Sequence, residues 1–360
     1  MKAENERIYL AQVRVALWNQ PIEAAQHSEE LLLMHMQQGT GTMVFPQLSM
    51  TPQMKMICLQ NMQQQVKLQY ILNQAWSALT DAGIRPVLMK GAGLAALYPQ
   101  AQLRTWGDID LFVGIDQYHP ACAVMRDTFP KALKFDEELD HYKHYNLIAD
   151  GISIEVHRVS VGFQHPIDAK RYTKMEAEGM GNAESLMVNG IEVRVPNPTF
   201  NALFVMLHCW EHATTQGANI RQFCDLALLL HHYAASIDRK KLHRWLKSLH
   251  LLDVWQLYMY ILVQHLGLSE QEAPFYHTSE RLAVRAERFI NDLLQGKLVA
   301  PKSSAQAPKN RIIRKIHTMQ ERLHNARRIA QYSPEYARHM KAETLLHGAL
   351  RLFAKDRHWE

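Results

Sequence analysis

A strand that must carry two acids on one face constrains this chain more than any other feature. In Asp108-Ile109-Asp110-Leu111-Phe112-Val113, residues alternate between polar and apolar positions, following a turn with two glycines, Gly91 and Gly93, and an apolar run at 86–89. Successive side chains of a strand point to opposite faces, so Asp108 and Asp110 point one way. Ile109, Leu111 and Val113 point the other way, into a core. Two neighbouring carboxylates repel each other and cost stability unless a cation sits between them. Hard divalent cations such as Mg²⁺ or Mn²⁺ take one or two carboxylates plus substrate phosphates. Residues 90–113 therefore read as a metal–phosphate site on a sheet.

The bulk properties fit that reading without dictating it. A chain of 360 residues can bury an ample core in one large domain or a few smaller ones. Apolar residues make up 47% and charged residues 21%, as in ordinary globular proteins. The net charge of +5 suits an anionic ligand but does not demand a nucleic acid. Cys58, Cys122, Cys209 and Cys224 lack CxxC spacing, as expected of reduced thiols. The charged start has no signal-like apolar segment, and no apolar run approaches the roughly 18 residues of a membrane span. The expected location is cytoplasmic, with no membrane partner.

Along the chain, residues 1–80 read as helices with apolar spacings of three and four (Leu59, Met62 and Val66, then Leu68 and Ile71), interrupted at 37–49 by glycines and Pro46. Residues 81–196 change to short strands: 86–89, 108–113, then 141–149 and 152–159 joined by Asp150-Gly151, a favoured hairpin turn. Helices are expected over 93–98 and 117–127, and a second hairpin over 186–195 folds on Asn189-Gly190. From Pro198 the pattern is helical again, over 200–214, 219–235, 239–248 and 252–265. Residues 296–310 read as a linker, followed by a basic helical tail broken at Ser333-Pro334. The expected class is α+β, with a small, mixed but largely antiparallel sheet. It divides into 1–80 (helical), 81–196 (sheet), 197–295 (helical) and 296–360 (linker and tail).

In Ile152-Ser153-Ile154-Glu155-Val156-His157, alternation buries the aliphatics and puts Ser153, Glu155 and His157 on the other face. If this strand pairs near the acidic one, Glu155 joins Asp108 and Asp110. Three carboxylates can hold two Mg²⁺ ions that orient a nucleoside triphosphate. The turn at Gly91, Ala92 and Gly93, opening a helix, offers backbone N–H groups to the phosphates.

The succession of glycine turn, short helix and Asp-x-Asp strand resembles the DNA polymerase β-type nucleotidyltransferase superfamily. More closely, LMKGAGLAALYP, LRTWGDIDLFV, ISIEVHR and LHCWEH…IRQFCDLALLL are similar to the uncharacterised bacterial nucleotidyltransferase family NTP_transf_5, over about residues 80–235. That resemblance implies a palm-like sheet flanked by helices, with Asp108 and Asp110 as metal ligands and Glu155 as the third carboxylate. Gly91 falls on the glycine of the superfamily turn. Ala92 stands where characterised transferases commonly have a small hydroxyl residue, which removes one phosphate hydrogen bond.

Other residues carry two readings each. Lys90 is a phosphate-binding cation or the partner of an acid. Arg104 clamps a phosphate or pairs with Asp108 or Asp110. His157 touches substrate or is a hydrogen-bonded histidine beside the site. Arg221 and Asp225, four apart on a helix, are expected to pair with each other. His208, Glu211 and His212 fit the short H-x-x-E-H zinc pattern, but a chance match is easy among 20 histidines. The basic residues between Lys302 and Arg328 could meet nucleic-acid phosphates, yet no stacking aromatics accompany them, so a solvated face is preferred. The expected activity is Mg²⁺-dependent transfer of NMP from an NTP to the hydroxyl of a small molecule, peptide or protein. The rival expectation is a weak or inactive nucleotide-binding or regulatory protein of the same fold.

Overall fold

A computed structural model of the chain describes residues 2–22, 28–135, 139, 141–163, 165–298 and 311–353. The N-terminal helices are α1 (Lys2–Leu17), α2 (Glu29–Gln37), the single turn α3 (Gly41–Val44) and the 30-residue α4 (Pro52–Asp81). Thr51 starts α4 by accepting the Met54 N–H, and Pro52 occupies the first turn where its missing N–H costs nothing. Gly83, at φ 75°, provides the left-handed exit. The glycine-containing interruption at 37–49 thus holds a helical turn, α3, rather than only a loop.

Leu68, Ile71, Leu72, Ala75 and Leu79 line one side of α4 and pack on a five-stranded sheet. Its strands are β1 (Val87–Met89), β2 (Asp108–Phe112), β3 (Leu133–Lys134), β4 (His144–Ala149) and β5 (Ile152–His157), in the order β1-β2-β5-β4-β3. Between β1 and β2 lies the short α5 (Gly91–Ala95), and after β2 comes α6 (Gly114–Thr128). Only β2 and β5 are parallel; the other pairings are antiparallel. Asp150 (φ 50°) and Gly151 (φ 79°) make the β4–β5 turn, with the two positive φ angles that match hairpin twist. Ile109, Leu111, Ile152, Ile154 and Val156 are fully buried under α4 and α6. Each such side chain contributes roughly 1.5–3 kcal/mol. Hence the face bearing Asp110 and Glu155 must look the other way.

A helix that the apolar pattern does not announce, α7 (Pro166–Gly181), follows β5. Its inward stripe includes Asp168 and Glu176 beside Tyr172 and Met175, which dilutes the periodicity. The second hairpin is β6 (Glu184–Val188) and β7 (Ile191–Val195), turning on Asn189 and Gly190. The helical part comprises α8 (Pro198–Thr215), α9 (Ile220–His232), α10 (Arg239–Ser248), α11 (Leu252–Gln264) and α12 (Glu280–Leu294). Asn197 caps α8, and a capping box of Asn219 and Gln222 starts α9. Finally α13 (Arg311–Ile329) and α14 (Pro334–Phe353) pair with each other, parting at Ser333-Pro334. Most of the expected linker, 299–310, lies outside the described residues, and so do Lys302 and Lys309. Phe200, Phe204, Phe223, Tyr258 and Phe289 centre a second apolar core among the helices.

Candidate active site

The parallel pairing of β2 with β5 sets Asp110 directly opposite Glu155, and Asp108 opposite Ser153. Because β2 and β5 are both interior strands, Asp110 sits inside the molecule, 1% exposed, while Asp108 and Glu155 are half-buried. Lys90 ends the turn after β1 and places Nζ 2.9 Å from Asp110 Oδ1. His157 Nε2 lies 3.0 Å from the same oxygen and 3.1 Å from Glu155 Oε2. On the neighbouring strand, His144 Nδ1 is 3.8 Å from Glu155 Oε2. Asp110, Glu155, Lys90 and His157 thus form one charge cluster, with half-buried Asp108 at its margin and His144 beside it, its pKa lowered to about 4 chiefly by burial.

Physical causes of each protonation state follow from that packing. Burial works against the charged form of Asp110, but Lys90 and His157 outweigh it and hold the carboxyl well below its usual range. Burial likewise opposes charge on His157, yet its bonds to Asp110 and Glu155 raise its pKa. Lys90 is raised too, since three carboxylates overcome its burial. Asp108 moves the other way: the Asp110 charge, then burial, raises its pKa. Repulsion between the aspartates therefore remains uncompensated at Asp108.

Whether a divalent cation fits can be judged from the acids themselves. Asp110 Oδ2 is fully buried and has no hydrogen-bond partner. A buried carboxylate oxygen without a donor is costly, and a cation would satisfy it. With the raised Asp108 beside it and Glu155 across the strand gap, the donor set is oxygen-rich, as Mg²⁺ or Mn²⁺ requires. His144, Glu155 and His157 also offer ligand atoms that all lie within 4.8 Å of one another. Asp108, Asp110 and Glu155 do not form such a group among the described residues, so a metal held by them requires the acids to draw together around the buried Asp110 Oδ2.

Local backbone explains why Lys90 can reach. Its φ of 51° and ψ of −137° are unusual for a residue with a Cβ, and Gly91 follows at φ 35°. A Cβ on Gly91 would meet the Asp108 carbonyl oxygen and the Trp106 ring, both at 3.4 Å, so glycine lets the turn press against β2. The helix it opens, α5, is only five residues long. Its first-turn N–H groups at Gly91, Ala92 and Gly93 have no acceptor within the helix.

Two sequence expectations change, and a third, left with two alternatives, takes one of them. Arg104 pairs with neither Asp108 nor Asp110: it grips Asp225 through Nε (2.6 Å) and Nη2 (2.7 Å), and its Nη1 donates to the Gly91 carbonyl at 3.0 Å. A guanidinium buried and forked on a carboxylate is not placed to clamp a phosphate. Asp225 accordingly belongs to Arg104 and to the Tyr98 hydroxyl (2.7 Å), not to Arg221. Arg221 instead donates to the Thr105 carbonyl and hydroxyl. Lys90 takes the acid-partner alternative through Asp110.

His144 and Tyr98 join the network without being among the residues expected from the sequence. Alternation in His144-Tyr145-Asn146-Leu147 puts His144 and Asn146 on the acidic face, so the same period-two signal contained the first of these. The Tyr98–Asp225 contact spans 127 residues and left no local trace. His208 and His212 of α8 lean toward this face; burial first, then the Lys90 charge, keeps His208 well below its usual range. Among the described residues they do not close a metal cluster with Glu211, whose Oε2 lies 3.9 Å from Lys143.

No helix among the described residues is long and apolar enough to cross a membrane. Comparison with curated proteins and with solved structures gave no match. The sequence profile of one family, described as uncharacterised nucleotidyltransferase, matches residues 23–267, which contain the whole sheet and the helices that face it.

Proposed function

The chain belongs to this nucleotidyltransferase family, and from that premise we propose that it is a Mg²⁺-dependent enzyme transferring NMP from an NTP to an acceptor hydroxyl, with release of pyrophosphate. The observation that carries the reading is the Asp110–Glu155 register across the parallel pair, with Asp108 on the same face. Asp108, Asp110 (through Oδ2) and Glu155 would hold the cation, Mn²⁺ serving in place of Mg²⁺. When bound, it would polarise the α-phosphate and offset charge on the leaving pyrophosphate. Lys90 keeps Asp110 ionised and in place, and His157 joins Asp110 to Glu155, so the acids are preorganised. The N–H groups of Gly91, Ala92 and Gly93 are available to the triphosphate, without the hydroxyl that Ala92 lacks. A small molecule, peptide or protein would present the hydroxyl; a nucleic acid is less favoured.

A second reading is a nucleotide-binding protein with little or no transfer activity. It is supported by Ala92 and by the Lys90–Asp110–His157 cluster, which already satisfies one oxygen of Asp110. Calorimetric titration with ATP, GTP, CTP and UTP, with and without Mg²⁺, separates the two when combined with label transfer from each NTP in a cell extract. Metal-dependent binding with transfer, both lost in Asp108→Asn, supports the enzyme. Metal-independent binding without transfer supports the binding protein.

A further inference from the structure

A second group of metal-competent side chains, distinct from the acids of the sheet, joins α7 to α14. His165 caps the start of α7, Asp168 lies in its first turn, and Glu343 projects from α14. His165 Nδ1 is 2.6 Å from Glu343 Oε1 and 3.4 Å from Asp168 Oδ2. Ligand atoms of all three residues lie within 4.8 Å of one another. His339, one turn before Glu343 on α14, sits 2.8 Å from Asp168 Oδ2 and 3.0 Å from Glu343 Oε1. We propose that His165, Asp168 and Glu343 bind a divalent transition-metal ion of the Zn²⁺ class, which clasps the C-terminal helix onto α7.

Donor geometry favours an ion over a set of ordinary ion pairs. Glu343 Oε1 is buried and close to two imidazole nitrogens, yet it accepts no hydrogen bond. Two ligands of a tetrahedral ion with bonds of about 2.0–2.1 Å stand roughly 3.4 Å apart, which is the separation of His165 Nδ1 from Asp168 Oδ2. Asp168 is held from outside: Arg171 lies 3.2 Å from Oδ1, and the His339 Nε2–Oδ2 contact has hydrogen-bond geometry. Such partners fix a ligating carboxylate and tune its basicity. One imidazole with two carboxylates suits Zn²⁺ or Co²⁺ better than Mg²⁺, which seeks oxygen alone. All four side chains line a cavity of about 490 Å³, leaving room for water as a fourth ligand.

The site is independent of the proposed transfer reaction. The test uses the full chain, stripped with a chelator and titrated with Zn²⁺ by calorimetry and with Co²⁺ by visible absorption. Wild type should take up an ion at this site that raises the melting temperature, over and above any ion held on the sheet. An Asp110→Asn, Glu155→Gln double variant should retain that ion, whereas His165→Ala and Glu343→Gln should each lose it. His339→Gln should weaken it about 10–100-fold, as expected of a residue behind the ligands. Circular dichroism confirms that Glu343→Gln is folded, and a second variant, Asp168→Asn, repeats the test from the other helix. Absence of Zn²⁺ and Co²⁺ binding in wild type overturns the proposal. So does binding that persists in both His165→Ala and Glu343→Gln but disappears in the double variant, because that places the ion on the sheet.

Discussion

Asp110 has two jobs whose costs can be separated. Its Oδ1 neutralises Lys90 and His157, and its Oδ2 is the oxygen proposed to meet a cation. Asp110→Asn should therefore abolish Mg²⁺-dependent NTP binding and also destabilise the protein, by about 3–5 kcal/mol, because buried cations lose their counter-charge. Asp108→Asn, at the half-exposed start of β2, should abolish the same binding while leaving urea denaturation nearly unchanged. Glu176 gives a separate pH signature. Burial pushes its carboxyl up to about 7, even though the Ser160 N–H and hydroxyl favour the charged form. The folded state thus holds a proton that the unfolded chain releases near 4.5. This contribution to stability is complete below pH 4.5 and falls away as pH rises through 7, on the order of 3 kcal/mol in all. Glu176→Gln should raise the melting temperature relative to wild type at pH 8 and change it little at pH 5. What sequence made legible at this scale was period-two information: the shared face of Asp108, Asp110, Glu155 and His157. The aim of Lys90 was not legible, because it depends on a positive φ at a residue other than glycine.

Among elements, the sheet could be anticipated and its helical cover only in part. Asp150-Gly151 and Asn189-Gly190 announced both hairpins through turn chemistry, which is local. The parallel contact of β2 with β5 is set by the crossover through α6, β3 and β4, and no local signal encodes it. Helix α7 went unread because Asp168, Glu176 and Gly179 interrupt its buried stripe. Gly179 has its own reason: a Cβ there would collide with the Phe200 ring of α8. Alanine in mid-helix normally gains about 1 kcal/mol over glycine. Overpacking costs about 1–3 kcal/mol, so Gly179→Ala should lower stability by up to about 2 kcal/mol in chemical denaturation. The Arg104–Asp225 fork predicts more. Arg104→Ala should cost about 3–5 kcal/mol, and Arg104→Lys should recover less than half of it, since an ammonium cannot make two parallel bonds.

At the scale of the whole molecule, the segment past the family match is integral to the helical core. Ser333, fully buried, donates to Asp253 Oδ2 at 2.6 Å, and the Glu335 N–H reaches the same oxygen at 2.9 Å. Tyr336 packs edge-on against Trp210, with ring centroids 5.8 Å apart. Asp253→Ala should thus loosen α14 by about 2–3 kcal/mol, seen as faster limited proteolysis after residue 330. The bond from Arg104 to Asp225 has a last consequence for anyone who would transplant this sheet. Its anchor lies on α9, beyond the second hairpin, and the same arginine steadies the carbonyl of Gly91. A graft that kept the strands but left α9 behind would leave a stranded guanidinium under the loop meant to cradle phosphate. The smallest portable version of this chemistry therefore extends at least to Asp225.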